Sequence, residues 1–162
     1  MFKNISKQIV FLSLLVNTLF FSGCVTPVKV EGSAMLPNFT DGDRLLMNNN
    51  IGGLQRGDLV YFQYPKDITK SYFKRVIGLP KETIEIRSGD TFINGQPLAE
   101  AYINQIYNQI ERNLPPTVIP ADNYFVMGDN RDNSSDSRSW GTISRDLILG
   151  KHYMTYSRSE KK

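Results

Sequence analysis

The feature that most constrains the fold is a succession of short apolar or alternating runs that starts at Val25. Leu59-Val60-Tyr61-Phe62 and Thr83-Ile84-Glu85-Ile86 are two such runs. They lie among turn signals such as Arg56-Gly57-Asp58 and Ser88-Gly89-Asp90. Short runs between Gly and Asp clusters are typical of β-strands. We therefore predict an all-β domain of short antiparallel strands, built as a barrel or a sandwich.

Two segments refine this prediction. Thr91-Phe92-Ile93 is followed by Asn94-Gly95, the pair that favours a tight hairpin turn. Residues 99–113 have rough helical spacing and predict either one short helix or an irregular insertion. Pro115 and Pro116 end that segment.

The amino terminus has the pattern of a membrane segment. Lys3 and Lys7 precede a largely apolar run, Ile9–Phe21. Continued to Val25, the run reaches about 17 residues, the lower limit for crossing a bilayer, and this favours an uncleaved anchor. The alternative is a lipobox that ends at Cys24, which would then carry the lipid.

Either tether divides the chain into a membrane segment, residues 1–25, and an exported domain, residues 26–162. Because the lysines hold the amino terminus inside, the exported domain is expected on the outer face of the cytoplasmic membrane. The lipid bilayer is therefore a predicted partner.

Composition argues against several other classes of protein. The pI of 9.0 reflects the amino-terminal lysines, since the rest of the chain carries 17 basic and 16 acidic residues. This balance gives no basic face for nucleic acid. Cys24 and His152 are the single cysteine and histidine, so we expect no disulfide framework and no metal site. We interpret His152 as a strand residue with a local partner.

Three segments could carry chemistry: Val30–Pro37, Ser71–Pro80 and Gly128–Gly141. In the second, Lys74 lies in an apolar strand, where desolvation would lower its pKa towards that of a general base. The alternative is an edge lysine whose ammonium reaches water. The third is too polar for a buried strand and predicts a loop held by its own ion pairs and hydrogen bonds. Its spacing does not match a calcium loop.

In this order, the three segments resemble the conserved boxes of signal peptidase I, a family of serine–lysine endopeptidases. The third segment follows the family pattern, with Gly-Asp-Asn-Arg, then Ser134, then Asp-Ser-Arg and finally Trp-Gly. Arg56–Val60 and Arg145–Gly150 resemble two further boxes. The resemblance covers roughly residues 28 to 156.

The resemblance implies a role for each matching residue. Lys74 would be the general base, and Ser134 would orient it through a hydrogen bond. Asp136 and Arg138 would form a supporting ion pair, with Asp129 also in a supporting role. Gly32 and Met35 would belong to the substrate-binding wall. The implied substrates are exported preproteins, bound extended along a strand edge. This chemistry requires no cofactor or metal.

The chain departs from the family at the nucleophile. The family's first box places a serine two residues after its glycine, whereas this chain has Gly32-Ser33-Ala34. A methyl group cannot attack a carbonyl. Ser33 could serve instead if the turn were irregular. Alternatively, the chain is a pseudo-peptidase that binds peptides or regulates export. An alanine introduced to trap substrate is the least expected explanation. Ala34 would still offer its backbone N–H to an oxyanion.

The leading hypothesis is a membrane-bound endopeptidase that cleaves signal peptides from exported preproteins. The pseudo-peptidase is the alternative. A self-cleaving repressor-type peptidase would share the serine–lysine pair, but the membrane segment and the Gly128–Gly141 loop disfavour it.

Overall fold

The computed structural model describes residues 24–159. Its elements, in chain order, are β1 (Val25–Lys29), β2 (Arg44–Asn48), β3 (Leu59–Tyr64), β4 (Asp67–Gly78), β5 (Thr83–Arg87), β6 (Asp90–Ile93), β7 (Gln96–Pro97), β8 (Leu114–Val118), β9 (Asn123–Met127), α1 (Ser137–Trp140), β10 (Ile143–Ser144) and β11 (Ile148–Ser157). Two 3-10 turns lie at Gln105–Tyr107 and Arg145–Leu147. The all-β prediction is confirmed.

The strands form two antiparallel sheets. The larger has seven strands in the order β1-β2-β11-β3-β4-β9-β10, and the smaller has four in the order β7-β6-β5-β8. β1 is therefore an edge strand. β4 pairs with β3 over most of its length, but it pairs with β9 only through Arg75, Val76 and Gly78. The earlier part of β4 consequently has one edge without a strand partner, and that edge contributes to the site described below.

Alternating burial explains why these segments form strands. On β3, Val60 and Phe62 are fully buried and pack with Val76 and Val126 from the two strands that follow in the sheet. The smaller sheet buries Ile84 in a second cluster, which also includes side chains of β4 and β9 from the larger sheet. Because side chains at alternate positions point to opposite faces of a strand, the larger sheet supplies apolar groups to clusters on both of its faces.

Local turn chemistry is as predicted in the hairpin between β6 and β7. Ile93 pairs with Gln96, and Asn94 and Gly95 both have positive φ, at 50° and 78°. Two residues with positive φ are what a type I′ hairpin turn requires. Of the two alternatives for residues 99–113, the irregular insertion is correct. Tyr102 packs against the core, but Ile106 and Ile110 are exposed, at 68% and 52%, so the segment lacks the continuous buried apolar face that would support a helix.

The predicted membrane segment lies almost wholly outside the described residues. Within residues 24–159 no helix is long and apolar enough to cross a bilayer. Cys24, where the description begins, is exposed and has a free thiol. The spanning anchor and the lipidated cysteine both remain predictions, as does the boundary between residues 25 and 26.

Candidate active site

A groove with a volume of about 800 Å³ lies between two segments of the chain. One segment is β1 together with the turn that follows it, and the other is the first part of β4. Predicted site residues from both segments line it: Gly32, Ser33, Ala34, Met35 and Lys74. Tyr61 contributes from β3, while Asn133 and Ser135 contribute from the polar loop. The fold thus brings together two segments that lie about forty residues apart in the sequence.

The turn after β1 has a compact, non-extended backbone. Gly32 has a φ of +75°, which favours glycine, and its N–H donates to Asp41 Oδ1 at 2.9 Å. The Leu36 N–H donates to the Ser33 carbonyl at 3.2 Å. Met35 is only 2% exposed and packs with apolar side chains of β1 and β2, so it anchors the turn in the core. This is the irregular geometry that a role for Ser33 requires.

Lys74 is buried in the middle of β4, with 6% of its surface exposed. Its Nζ donates to the Phe73 carbonyl at 3.2 Å and lies 5.3 Å from the centre of the Tyr72 ring. Burial lowers its pKa from 10.5 to about 8, and the negative charges of Asp136 and Asp129 oppose the shift. A snorkelling lysine would keep its ammonium in water. The geometry instead matches the desolvated lysine that a general base requires.

The Ser134 hydroxyl lies near the turn but does not make its predicted contact. Its Oγ is buried and makes no hydrogen bond of normal geometry among the described residues, so the expected bond from Lys74 is not formed, although the hydroxyl lies near enough to Asp136 to help lower the pKa of that carboxyl. The backbone of Gly128 runs directly alongside. A Cβ at that position would collide with Ser134 Oγ and with the Ala34 carbonyl oxygen. Glycine is therefore needed for the loop to approach the turn this closely.

Asp136 and Arg138 form the predicted ion pair. Two bonds of 2.8 Å join Arg138 Nε and Nη2 to the two carboxylate oxygens, and the Gly128 N–H donates to Oδ2 at 3.1 Å. Asp136 is fully buried, which on its own would raise its pKa, but the Arg138 guanidinium and the Gly128 N–H hold the pKa below its usual value. The carboxylate therefore stays charged and fixes the loop beneath Lys74.

Asp129 has a partner that the sequence analysis missed. Arg75, the residue after Lys74, donates to its two oxygens at 2.8 and 2.6 Å. The Asn38 side chain donates to Asp129 Oδ2 as well, at 2.8 Å. This bidentate pair joins β4 to the polar loop. A second charge in an apolar strand was the signal that could have identified Arg75.

Two asparagines of the loop were also missed. Asn130 makes two hydrogen bonds to the turn. Its backbone N–H donates to the Ala34 carbonyl at 3.0 Å, and its side chain donates to the Ser33 carbonyl at 3.1 Å. Asn133 Nδ2 donates to Ser33 Oγ at 2.8 Å. The density of Asn in the loop indicated hydrogen bonding but could not indicate these acceptors.

The two residues considered for the nucleophile position both line the groove. Ala34 lines the groove beside Ser33, and the Ala34 N–H donates to no acceptor among residues 24–159. Ser33 Oγ has accepted the Asn133 bond, so its proton remains free for a base. No hydrogen bond joins Ser33 to Lys74 in the structure. Active-site hydrogen bonds are often long or incomplete before substrate binds.

No group of three or more His, Cys, Asp or Glu side chains in the described part of the chain could hold a metal ion. His152 lies on β11, where its Nε2 is 3.1 Å from Thr155 Oγ1. It is therefore a strand residue with a local partner, as interpreted from the sequence.

Comparison with known proteins agrees with this geometry. The profile of the family described as signal peptidase, peptidase S26, matches residues 2–157. This chain belongs to the signal peptidase I family. Signal peptidase I T of Bacillus subtilis (strain 168) is 40% identical over 153 residues, which is 87% of this chain and 76% of that protein. Signal peptidase IB of Staphylococcus aureus (strain COL) is 34% identical over 169 residues, 92% of this chain and 87% of that protein.

A solved signal peptidase I has the same fold. The crystal structure of the protein from Enterococcus faecalis V583 matches with a TM-score of 0.53 and 32% identity, over 62% of this chain and 97% of the other. The resemblance to signal peptidase I is therefore confirmed in sequence and in fold. So is the prediction that the chain is of peptidase type.

Proposed function

We propose that this chain is a membrane-bound endopeptidase that cleaves signal peptides from exported preproteins, with its catalytic domain outside the cytoplasmic membrane. The observation that carries the proposal is the position of Lys74. A buried amine, with its pKa lowered to about 8, lines a groove beside the turn that bears Ser33 and Ala34. A lysine desolvated in this way is partly neutral at moderate pH and can accept a proton.

The groove suits an extended peptide because unpaired strand edges border it. β1 is the edge strand of the large sheet, and β4 before Arg75 has no strand on its second edge. Residues of both strands line the groove, among them Val28 and Thr69. An extended peptide could bind there by adding main-chain hydrogen bonds to an edge, with alternate side chains directed into the groove.

Chemistry would follow the serine–lysine pattern, with Ser33 as the nucleophile. Lys74 removes the hydroxyl proton as Ser33 Oγ attacks the scissile carbonyl, and the free Ala34 N–H stabilises the oxyanion. Lys74 then donates the proton to the leaving amine as the C–N bond breaks. Water hydrolyses the acyl ester, with Lys74 again as base. In this scheme Asn133 orients Ser33 Oγ before substrate binds.

The test is cleavage of a preprotein by the purified full-length chain in detergent. We expect slow cleavage at one position after the signal peptide, and background rates for Lys74→Ala and Ser33→Ala. Ala34→Ser should cleave faster, because it places a hydroxyl at the position where the family's first box has its nucleophilic serine. Lys151→Ala is the matched control, since Lys151 is also a strand lysine but pairs with Asp58 outside the groove lining.

Each outcome has a definite meaning. If Ser33→Ala cleaves as well as the unchanged chain, Ser33 is not the nucleophile, although the endopeptidase proposal stands. If only Ala34→Ser cleaves, while the unchanged chain binds the preprotein without cutting it, the proposal fails. The chain is then the peptide-binding pseudo-peptidase of the alternative hypothesis, which the alanine at position 34 favours.

Membrane attachment has a separate test. The chain should sediment with membranes in high salt and dissolve only with detergent. Cys24→Ser distinguishes the two tethers. Unchanged attachment and unchanged gel mobility support the spanning anchor, whereas release from the membrane supports a lipid on Cys24.

A further inference from the structure

A second cavity, with a volume of about 250 Å³, lies where the smaller sheet meets α1. We name it the arginine cavity, and its lining residues are Ile86, Arg112, Asn113, Leu114, Arg138 and Ser139. Two of these are arginines, and no carboxylate lines the cavity. It shares no residue with the peptide groove.

The arginine cavity holds hydrogen-bond donors that the protein does not use. Arg112 Nη2 donates to the Asp132 carbonyl at 3.2 Å, and its Nε is buried without surface that a ligand could reach, so Nη1 is the donor that Arg112 can offer to the cavity. Arg138 donates to Asp136 through Nε and Nη2, so its Nη1 is left without a bond to that carboxylate. Asn113 accepts from the Ser88 N–H through Oδ1, which leaves its NH₂ group free to donate. Donors without a protein partner can bond to a ligand or to water in the cavity.

The acidic groups near the arginine cavity are already engaged. Asp132 accepts backbone N–H bonds from Gln109 and Ile110, and Asp136 accepts from Arg138 and Gly128. Burial would raise the pKa of Asp132, but these N–H groups, with the charges of Arg112 and Arg138, lower it. Both carboxylates are therefore charged and already hydrogen-bonded, and neither accepts from Arg112 Nε.

We propose that the arginine cavity binds a small free oxyanion of the phosphate class. Guanidinium groups match the geometry of phosphate oxygens, and their planar donor fork favours oxyanions over other acceptors. The size also fits. The volume accommodates a phosphate with a few waters, but it is below the roughly 300 Å³ at which sites for larger organic ligands begin. This site does not depend on peptide cleavage.

Binding at this site would act on a residue of the peptidase framework. Arg138 holds Asp136, whose charge acts on Lys74. An oxyanion that accepts a hydrogen bond from Arg138 Nη1 would compete with Asp136 for the positive charge of the Arg138 guanidinium. The arginine cavity is thereby linked to Lys74 through two side chains, without contact between the ligand and the groove.

The test is a calorimetric titration of the purified full-length chain with inorganic phosphate at low ionic strength. We expect saturable binding at one site, with a Kd raised at least about tenfold in Arg112→Ala, because one good charge-assisted hydrogen bond is lost. Arg44→Ala is the control, since Arg44 is an exposed strand arginine outside the arginine cavity, and its Kd should match that of the unchanged chain.

A second variant removes any dependence on how well Arg112→Ala folds. Ser139 is exposed on α1, so Ser139→Glu should fold normally while placing a carboxylate at the mouth of the arginine cavity. It should abolish phosphate binding. Equal affinity in the unchanged chain and Ser139→Glu would overturn the proposal. So would an equal loss in Arg44→Ala, since that would show general attraction of anions to basic residues.

Discussion

The turn of residues 32–37 and the loop of residues 128–141 make an instructive contrast. The turn has alanine at position 34, where the resemblance places a serine, and backbone bonds with the burial of Met35 hold its shape. The loop has the acidic and basic residues that the resemblance assigns to it, and its two buried carboxylates are held by ion pairs. Asp129 and Asp136 are fully buried and paired with arginines.

The difference shows which residues the fold needs for its stability. A nucleophilic hydroxyl contributes to a reaction and little to folding, so its loss leaves the fold intact. Removing one partner of a buried ion pair leaves an uncompensated charge. A preserved loop is therefore evidence for the fold, and evidence for catalysis has to come from the groove itself.

The largest effect is expected at the pair of Arg75 and Asp129. Arg75→Met should lower the free energy of unfolding by about 3–5 kcal/mol, since it leaves the Asp129 carboxylate buried without its cation. Chemical denaturation followed by circular dichroism measures the change. Arg87→Met is the control: Arg87 pairs with Glu85 at the surface and should cost less than about 1 kcal/mol. Equal losses would show that the loop does not depend on its buried pair.

A smaller effect of opposite sign is expected at Lys74. Its pKa falls from 10.5 in the unfolded chain to about 8 in the fold, so the unfolded state binds more protons between these values. The stability penalty is complete below pH 8 and disappears as the pH rises towards 10.5. Lys74→Met should therefore stabilise the chain by about 3 kcal/mol at pH 7 and by much less near pH 10. A destabilised Lys74→Met would contradict the account of a desolvated base.

The smallest effect distinguishes two neighbouring serines of the loop. Ser134 Oγ makes no hydrogen bond of normal geometry among the described residues, whereas Ser137 Oγ accepts the Val126 N–H at 3.0 Å. Ser137→Ala should cost about 1–3 kcal/mol of unfolding free energy because it leaves a buried N–H unpaired. Ser134→Ala should be close to neutral. A large loss in Ser134→Ala would mean that its hydroxyl makes a bond that the structure does not show.

Much of the fold followed from local pattern. Asn94-Gly95 specified its turn, and the short apolar run around Val60 and Phe62 specified a strand. The site was harder to predict, because the partners lie far apart in the sequence. Asn133 and Ser33 are 100 residues apart, and Arg75 and Asp129 are 54 apart. The resemblance identified Lys74 and Asp136. It did not identify Arg75, Asn130 or Asn133, which no spacing rule connects to their acceptors.

The most direct test of the central claim is the pH dependence of preprotein cleavage by the unchanged chain. With Lys74 as base, the rate should rise about tenfold per pH unit below 8 and level off above it, because the neutral amine is the active form. Lys74→Ala should show only background at every pH. A rate that is flat across pH 6 to 9, or equal in the two proteins, would contradict the assignment of Lys74 as the general base.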